Sequence, residues 1–107
     1  MSEKKKVRHN FRDSVFKRDG HKCRVCGISE EKLVSDGHNL DAHHITDRRC
    51  MPNGGYVPEN GISLCPDCHV KAEHFHQTGE SINRYSPEEL YTLIGSSLEL
   101  ALNESRR

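Results

Sequence analysis

The chain has 107 residues, of which 33% are hydrophobic, with no tryptophan and a formal net charge of zero. That length implies one domain, and a chain so small and polar buries little apolar surface, so a metal or other cross-link would help it fold. No stretch approaches the roughly 20 apolar residues that span a bilayer, and MSEKKKVRHNF has a charged start with no apolar core behind it, so neither a membrane span nor a secretory signal is expected.

Charge is unevenly placed. The first 26 residues carry nine lysines and arginines against three acids, a net of +6, and the remainder carries −6. A basic arm on an acidic body suits phosphate contact by one end, and a merely solvated tail is the plainer alternative. The arm is expected over residues 1–9.

HNFRDSVFKRDGHKC reads as a short helix capped by Asn10, with Phe11, Val15 and Phe16 as its apolar stripe and Gly20 at its end. HKCRVCG is a tight knuckle. EEKLVSDGHN is turn-rich, with Asp36-Gly37 as the reversal. LDAHHI alternates briefly and predicts a strand. TDRRCMPNGGYVPEN, with two prolines and Gly54-Gly55, predicts a long loop, and GISLC a second short strand. CPDCHVKAEHFH opens with a second knuckle and becomes a helix from about Pro66. YSPEELYTLIGSSLELAL is the clearest helix: Ser86 caps it, Pro87 takes the first position, Glu89 completes a capping box, and Leu90, Leu93, Ile94, Ser97, Leu98 and Ala101 follow helical spacing. That stripe is expected to pack on the domain, with a dimer seam as the sharper alternative.

Cys23-Arg-Val-Cys26 and Cys65-Pro-Asp-Cys68 are two Cys-x-x-Cys pairs separated by 38 residues. Each knuckle can present two thiolates to one ion, and two knuckles complete the tetrahedron that zinc favours. A redox dithiol would need a βαβ context and usually one pair. In the reducing cytoplasmic compartment expected here, paired cysteines point to a structural Zn²⁺ on Cys23, Cys26, Cys65 and Cys68. Cys50 has no nearby partner and no assigned role.

Such a site brings the ends of the 38-residue insert together, so DAHHI approaches ENGISLCPDCH. DAHHI, ENGISLC and CPDCH, in that order, resemble the motif of the HNH endonuclease family, and VFKRDGHKCRVCG resembles the family's entry helix and first knuckle. The resemblance covers about residues 11 to 75. It implies an α+β fold: a small ββα-metal (His-Me finger) domain with a four-cysteine zinc site, flanked by an N-terminal and a C-terminal helix. The nuclease domain is expected over residues 10–78, with residues 79–107 as a helical extension packed on it.

Neighbouring strand residues face opposite sides, so His43 and His44 are poorly disposed to bind one ion together. The resemblance implies that His43 and His69 hold a catalytic divalent ion such as Mg²⁺, Mn²⁺ or Ni²⁺. It makes His44 the general base, and Asn60 the residue that ties the loop and positions that base. Glu73, four residues beyond His69 on the same helix face, is the candidate third ligand. His74, rotated by about 140°, and His76, two turns away, are poorer ones. Asp41, two residues before His43, is placed to orient His43.

Arg48 and Arg49 in the following loop, and Lys17 and Arg18 on the entry helix, are candidate nucleic-acid contacts. The implied function is metal-dependent hydrolysis of DNA by a monomer or weak homodimer, in a bacterial or phage-infected cytoplasm, with a phage packaging or other DNA-processing protein as a candidate partner. The alternative is a non-catalytic zinc-binding module for nucleic acid or protein, which needs the four cysteines but not His43, His44, Asn60 and His69 together.

Overall fold

The computed structural model describes residues 2–107. Five helices surround a two-stranded antiparallel sheet: α1 (Glu3–Arg18), α2 (Glu30–Ser35), β1 (Asp41–His44), β2 (Gly61–Leu64), α3 (Pro66–Thr78), α4 (Pro87–Leu93) and α5 (Leu98–Ser105). Three short 3-10 turns, Arg48–Cys50, Pro52–Gly55 and Pro58–Asn60, fill the connection between the strands. Among the described residues no helix is long and apolar enough to cross a membrane.

The sheet register pairs Asp41 with Leu64, His43 with Ile62 and His44 with Gly61. β2 is buried along its whole length, because α1 covers the sheet with Phe11, Val15 and Phe16. Gly61 is required for this contact. A Cβ there would stand 2.5 Å from Val15 Cγ2 and 2.7 Å from the Phe11 ring, so only glycine lets the helix lie so close to the strand. Leu40, Ile45, Ile62 and Leu64 complete the centre of the core.

Asp19 is the polar pin of this packing. Its carboxylate is enclosed at the end of α1, takes hydrogen bonds from Arg18 (2.8 and 2.9 Å), Arg24 (2.9 Å) and the Ser63 amide (2.8 Å), and so joins α1, the first knuckle and β2. Burial alone would raise its pKa, but the Arg18 and Ser63 bonds outweigh burial and hold it below its ordinary value.

Three elements differ from the sequence expectation. α1 begins at Glu3, with Ser2 as its cap, and runs straight through Asn10. The charged Lys4–Arg8 run is helical because lysine and arginine are good helix formers even without an apolar stripe. EEKLVS is a helix rather than a turn, started by the Ser29 side chain on the Lys32 amide. The C-terminal segment is two helices: Gly95 takes φ +67° and Ser97 caps a new helix on the Leu100 amide. The break turns Leu93 and Leu98 outward, 40% and 47% exposed, while Leu90 and Ala101 are buried.

Candidate active site and metal centres

Among the described residues, two groups of side chains converge as metal donors. The first is Cys23, Cys26, Cys65 and Cys68, whose sulfurs all lie within 4.8 Å of one another. Cys26 Sγ and Cys65 Sγ are 3.6 Å apart. Four thiolates around one zinc ion stand roughly 3.8 Å apart, so the arrangement fits the ion without rebuilding. Each knuckle also turns an amide back on its own first sulfur, Cys26 N–H on Cys23 and Cys68 N–H on Cys65, both at 3.5 Å. Burial opposes ionisation of Cys23, but backbone N–H groups of Cys26, Cys65 and Val25 overcome it and bring the thiol down to about 7. The Tyr85 hydroxyl donates to Cys68 Sγ at 3.3 Å from outside the four-cysteine set.

The second group is His43, His69 and Glu73, whose donor atoms also lie within 4.8 Å of one another. β1 supplies His43, and one face of α3 supplies the other two. Glu73 Oε1 is 3.2 Å from His43 Nδ1 and 3.4 Å from His69 Nε2. Ligands of an ion bound at about 2.1 Å stand roughly 3.0–3.5 Å apart, which matches. His43 is 1% exposed, and its Nδ1 is enclosed with no hydrogen bond in line. A buried nitrogen left without a hydrogen-bond partner, facing a carboxylate and a second imidazole, suits a metal donor. Burial pushes His43 below its ordinary pKa and so favours the neutral, ligating ring. Contact with His43 brings the Glu73 carboxyl down to about 2.

Asp41 serves a different histidine from the one expected. Its Oδ2 lies 3.4 Å from His69 Nδ1, which raises the His69 pKa and orients that ring.

His44 points to the other side of β1. Its ring stacks on Phe11, 4.5 Å between centroids, and meets the edge of Tyr56 at 4.7 Å. Nε2 is enclosed without a partner, so exchange of a proton with solvent falls to Nδ1. Burial, then the neighbouring His43 and Arg48, bring the His44 pKa to about 4, which leaves the ring uncharged at neutral pH.

Asn60 is fully buried and its amide is fully used. Oδ1 accepts from the Thr46 amide (3.0 Å) and the Tyr91 hydroxyl (2.8 Å), and Nδ2 donates to the Thr46 carbonyl (3.1 Å) and the Gly55 carbonyl (3.2 Å). It therefore clamps the chain just beyond His44 and touches no open surface. Gly55 must be glycine here: φ is +66° and a Cβ would lie 2.7 Å from Asn60 Nδ2.

The candidate basic contacts divide. Arg48 is exposed and donates to the Tyr56 hydroxyl (3.1 Å), while Arg49 pairs with Asp47 (2.7 Å). Both line a polar cleft of 270 Å³ with His44, Asp47, Glu73 and His76. Arg18 is engaged by Asp19 and by the Pro58 and Gly61 carbonyls, and Lys17 pairs with Asp13 on the α1 surface. Neither Arg18 nor Lys17 lines this cleft.

Three contributors are missed or ranked low by the sequence reading, which sets His76 aside as a poorer ligand. His76 Nε2 lies 2.8 Å from the His44 carbonyl oxygen, and its ring stacks on His43 at 5.1 Å. Tyr91 and Tyr56 are the others. His76 shares a face with His69 seven residues earlier, which was the only available signal; the two tyrosines offered none.

Two β-strands followed by a helix, with metal donors on β1 and α3 and a four-cysteine site at their base, define a small α+β metal-binding domain. Residues 23–75 match the family model described as HNH endonuclease, and through that segment the chain belongs to the HNH endonuclease family. Nuclease-type function and binding of nucleic acid follow at the level of the family. No curated protein and no solved structure matches the chain.

Proposed function

We propose that the protein is a metal-dependent DNA endonuclease in which His44 is the general base and His43, His69 and Glu73 hold the catalytic ion. The observation that carries this reading is the divergence of two adjacent histidines: His43 joins the donor cluster, and His44 sits in a separate aromatic cage beside an arginine-lined cleft. A divalent ion such as Mg²⁺, Mn²⁺ or Ni²⁺, when bound, supplies positive charge to the scissile phosphate and the departing oxygen. His44, uncharged near neutrality, takes a proton from water at Nδ1 as that water attacks phosphorus. The bond from phosphorus to the 3′ oxygen breaks, leaving a 5′-phosphate and a 3′-hydroxyl that gains its proton from solvent.

Arg48 and Arg49 offer donors to the phosphate oxygens in the same cleft. Asn60 does not meet substrate and acts by holding Thr46, two residues past His44. The four cysteines bind structural Zn²⁺. Residues 10–78 are read as the nuclease core, residues 79–107 as an extension packed on it and residues 1–9 as its basic entry.

Nicking of supercoiled plasmid in Mg²⁺, Mn²⁺ or Ni²⁺ tests the assignment. His44→Ala should lose about 10²–10⁴-fold in rate while it keeps zinc and the divalent ion. His43→Ala should bind the ion weakly and recover in part at high Mn²⁺. Loss of ion binding by His44→Ala and not by His43→Ala would reverse the roles, and a wild-type chain that binds DNA without cutting it would make the domain a binding module.

A further inference from the structure

His44 lines two clefts. One is the polar cleft with Arg48 and Arg49. The other, of 260 Å³, lies between α1 and β1 and is lined by Arg8, Phe11, Arg12, Tyr56 and the Asp41–Ala42 edge of β1. α1 belongs to no part of the family-matched segment 23–75. Arg8 and Arg12 are one helical turn apart, so they share a face, and Phe11 on that face is the ring stacked on His44. Both arginines are exposed.

What separates these arginines from most others is that they lack an acidic partner. Arg18, Arg24 and Arg49 each hold a carboxylate. Among the described residues no ion pair involves Arg8, Arg12 or Arg48. Arg12 lies over the Phe16 ring at 5.2 Å, an apolar support that leaves its donors free. The one acid lining the cleft, Asp41, has an oxygen on His69. Tyr56 stands between the two basic groups: Arg48 donates to its oxygen, Arg8 is beside it, and together they hold its phenol below the ordinary pKa. Unpaired guanidiniums therefore flank His44 on both sides of the tyrosine.

We propose that Arg8 and Arg12 form a second phosphate subsite, which grips a backbone phosphate of the same DNA strand next to the scissile one as that strand crosses His44. The guanidinium fork suits phosphate oxygens, and a strand laid from one cleft to the other passes the base where the two meet. The subsite rests on the proposed nuclease reading and specifies how that site holds its substrate. Since the arginines are neither metal donors nor the base, they contribute affinity rather than chemistry.

The test uses the full zinc-loaded chain and a short DNA duplex. Binding is measured by anisotropy over a range of KCl without added divalent ion, and plasmid nicking is measured with Mn²⁺. Arg8→Gln with Arg12→Gln should weaken binding roughly tenfold near 0.1 M salt and lower the slope of log K against log salt by about 0.9, the value of one phosphate contact. KM should rise about as much, with the maximal rate within about twofold of wild type. Arg8→Lys with Arg12→Lys should restore the slope, and Lys32→Gln, whose lysine pairs with Asp36 and lines neither cleft, should change nothing.

An unchanged affinity and slope in the glutamine variant overturns the subsite while the nuclease reading stands. Wild-type protein that binds the duplex but cuts in no divalent ion overturns the nuclease reading, and the slope still decides the subsite. A wild-type chain that binds no DNA overturns both.

Discussion

Tyr91→Phe removes one oxygen atom and leaves the ring in place, so it isolates what α4 does for the loop that follows His44. The hydroxyl donates to Asn60 Oδ1 at 2.8 Å and lies 2.7 Å from Thr46 Oγ1; with its own proton engaged by Asn60, it accepts from the threonine. Tyr91 is 4% exposed and Asn60 0%, so water does not readily replace the lost group. A buried polar group left short of a partner costs about 1–3 kcal/mol, and Asn60 Oδ1 keeps the Thr46 amide, which favours about 1–2 kcal/mol here. For a domain of this size that corresponds to a fall in Tm of roughly 5–15 °C.

The kinetic effect should be separate from the loss of stability. Asn60 grips Thr46 by both its amide and its carbonyl, and Thr46 follows His44 closely, so a looser amide lets His44, the proposed base, drift. A drop of about tenfold in maximal nicking rate is expected at a temperature well below both transitions, with DNA affinity unchanged. Thermal unfolding and saturating plasmid assays on the two proteins measure both quantities. A Tyr91→Phe protein that melts within about 1 °C of wild type and nicks at the same rate would refute the reasoning, because the hydroxyl would then hold nothing.

Gly61→Ala should destabilise the fold by about 1–3 kcal/mol in chemical denaturation, since the added methyl collides with Val15 and Phe11, and nicking should fall because Phe11 is stacked on His44. Asp19→Asn should cost about 1–3 kcal/mol, discounted because Arg18 and Arg24 remain partly exposed. The Asp19 pKa is depressed on folding, so its contribution is present above its ordinary value of 3.8 and is lost as pH falls through the lower folded value; acid titration of stability should be flatter below about pH 4 in the variant. Cys65→Ser should abolish zinc retention in elemental analysis and make the chain protease-sensitive, and a soluble, metal-free and active variant would refute structural zinc.

The legible parts of this molecule are those in which the signal is local. Cys-x-x-Cys spacing, the short alternation of DAHHI and the Pro66 start of α3 each lie within a few residues, and the structure has these elements where the spacing puts them. Glu73 was readable because four residues on a helix make one face. The misread parts turn on competition between local signals. The Lys4–Arg8 run has no apolar face and passes for a loose arm, but a Ser2 cap and good intrinsic propensity make it helix. Gly95 within an otherwise periodic run ends α4 rather than being tolerated. Asp41 and the two tyrosines depend on pairings across the fold, Tyr91 with Asn60 being separated by 31 positions, and no spacing rule reaches that far.

The matched segment carries His43, His44, Asn60, His69 and Glu73, yet the surroundings that tune them come from outside it. Burial is the largest cause of the low His44 pKa, and one wall of its cage is Phe11 on α1. The fourth bond of Asn60 is Tyr91 on α4, and Asn53 in the same loop donates to the Ser105 carbonyl of α5 at 2.8 Å. Residues 23–75 cut away from both flanks would thus leave His44 open to water on its Phe11 side and Asn60 one partner short. A more hydrated imidazole charges at higher pH, and a charged ring accepts no proton. The flanking helices are in this sense part of the proposed site: α1 helps bury His44 and so favours its uncharged ring, and α4 braces the loop that follows it.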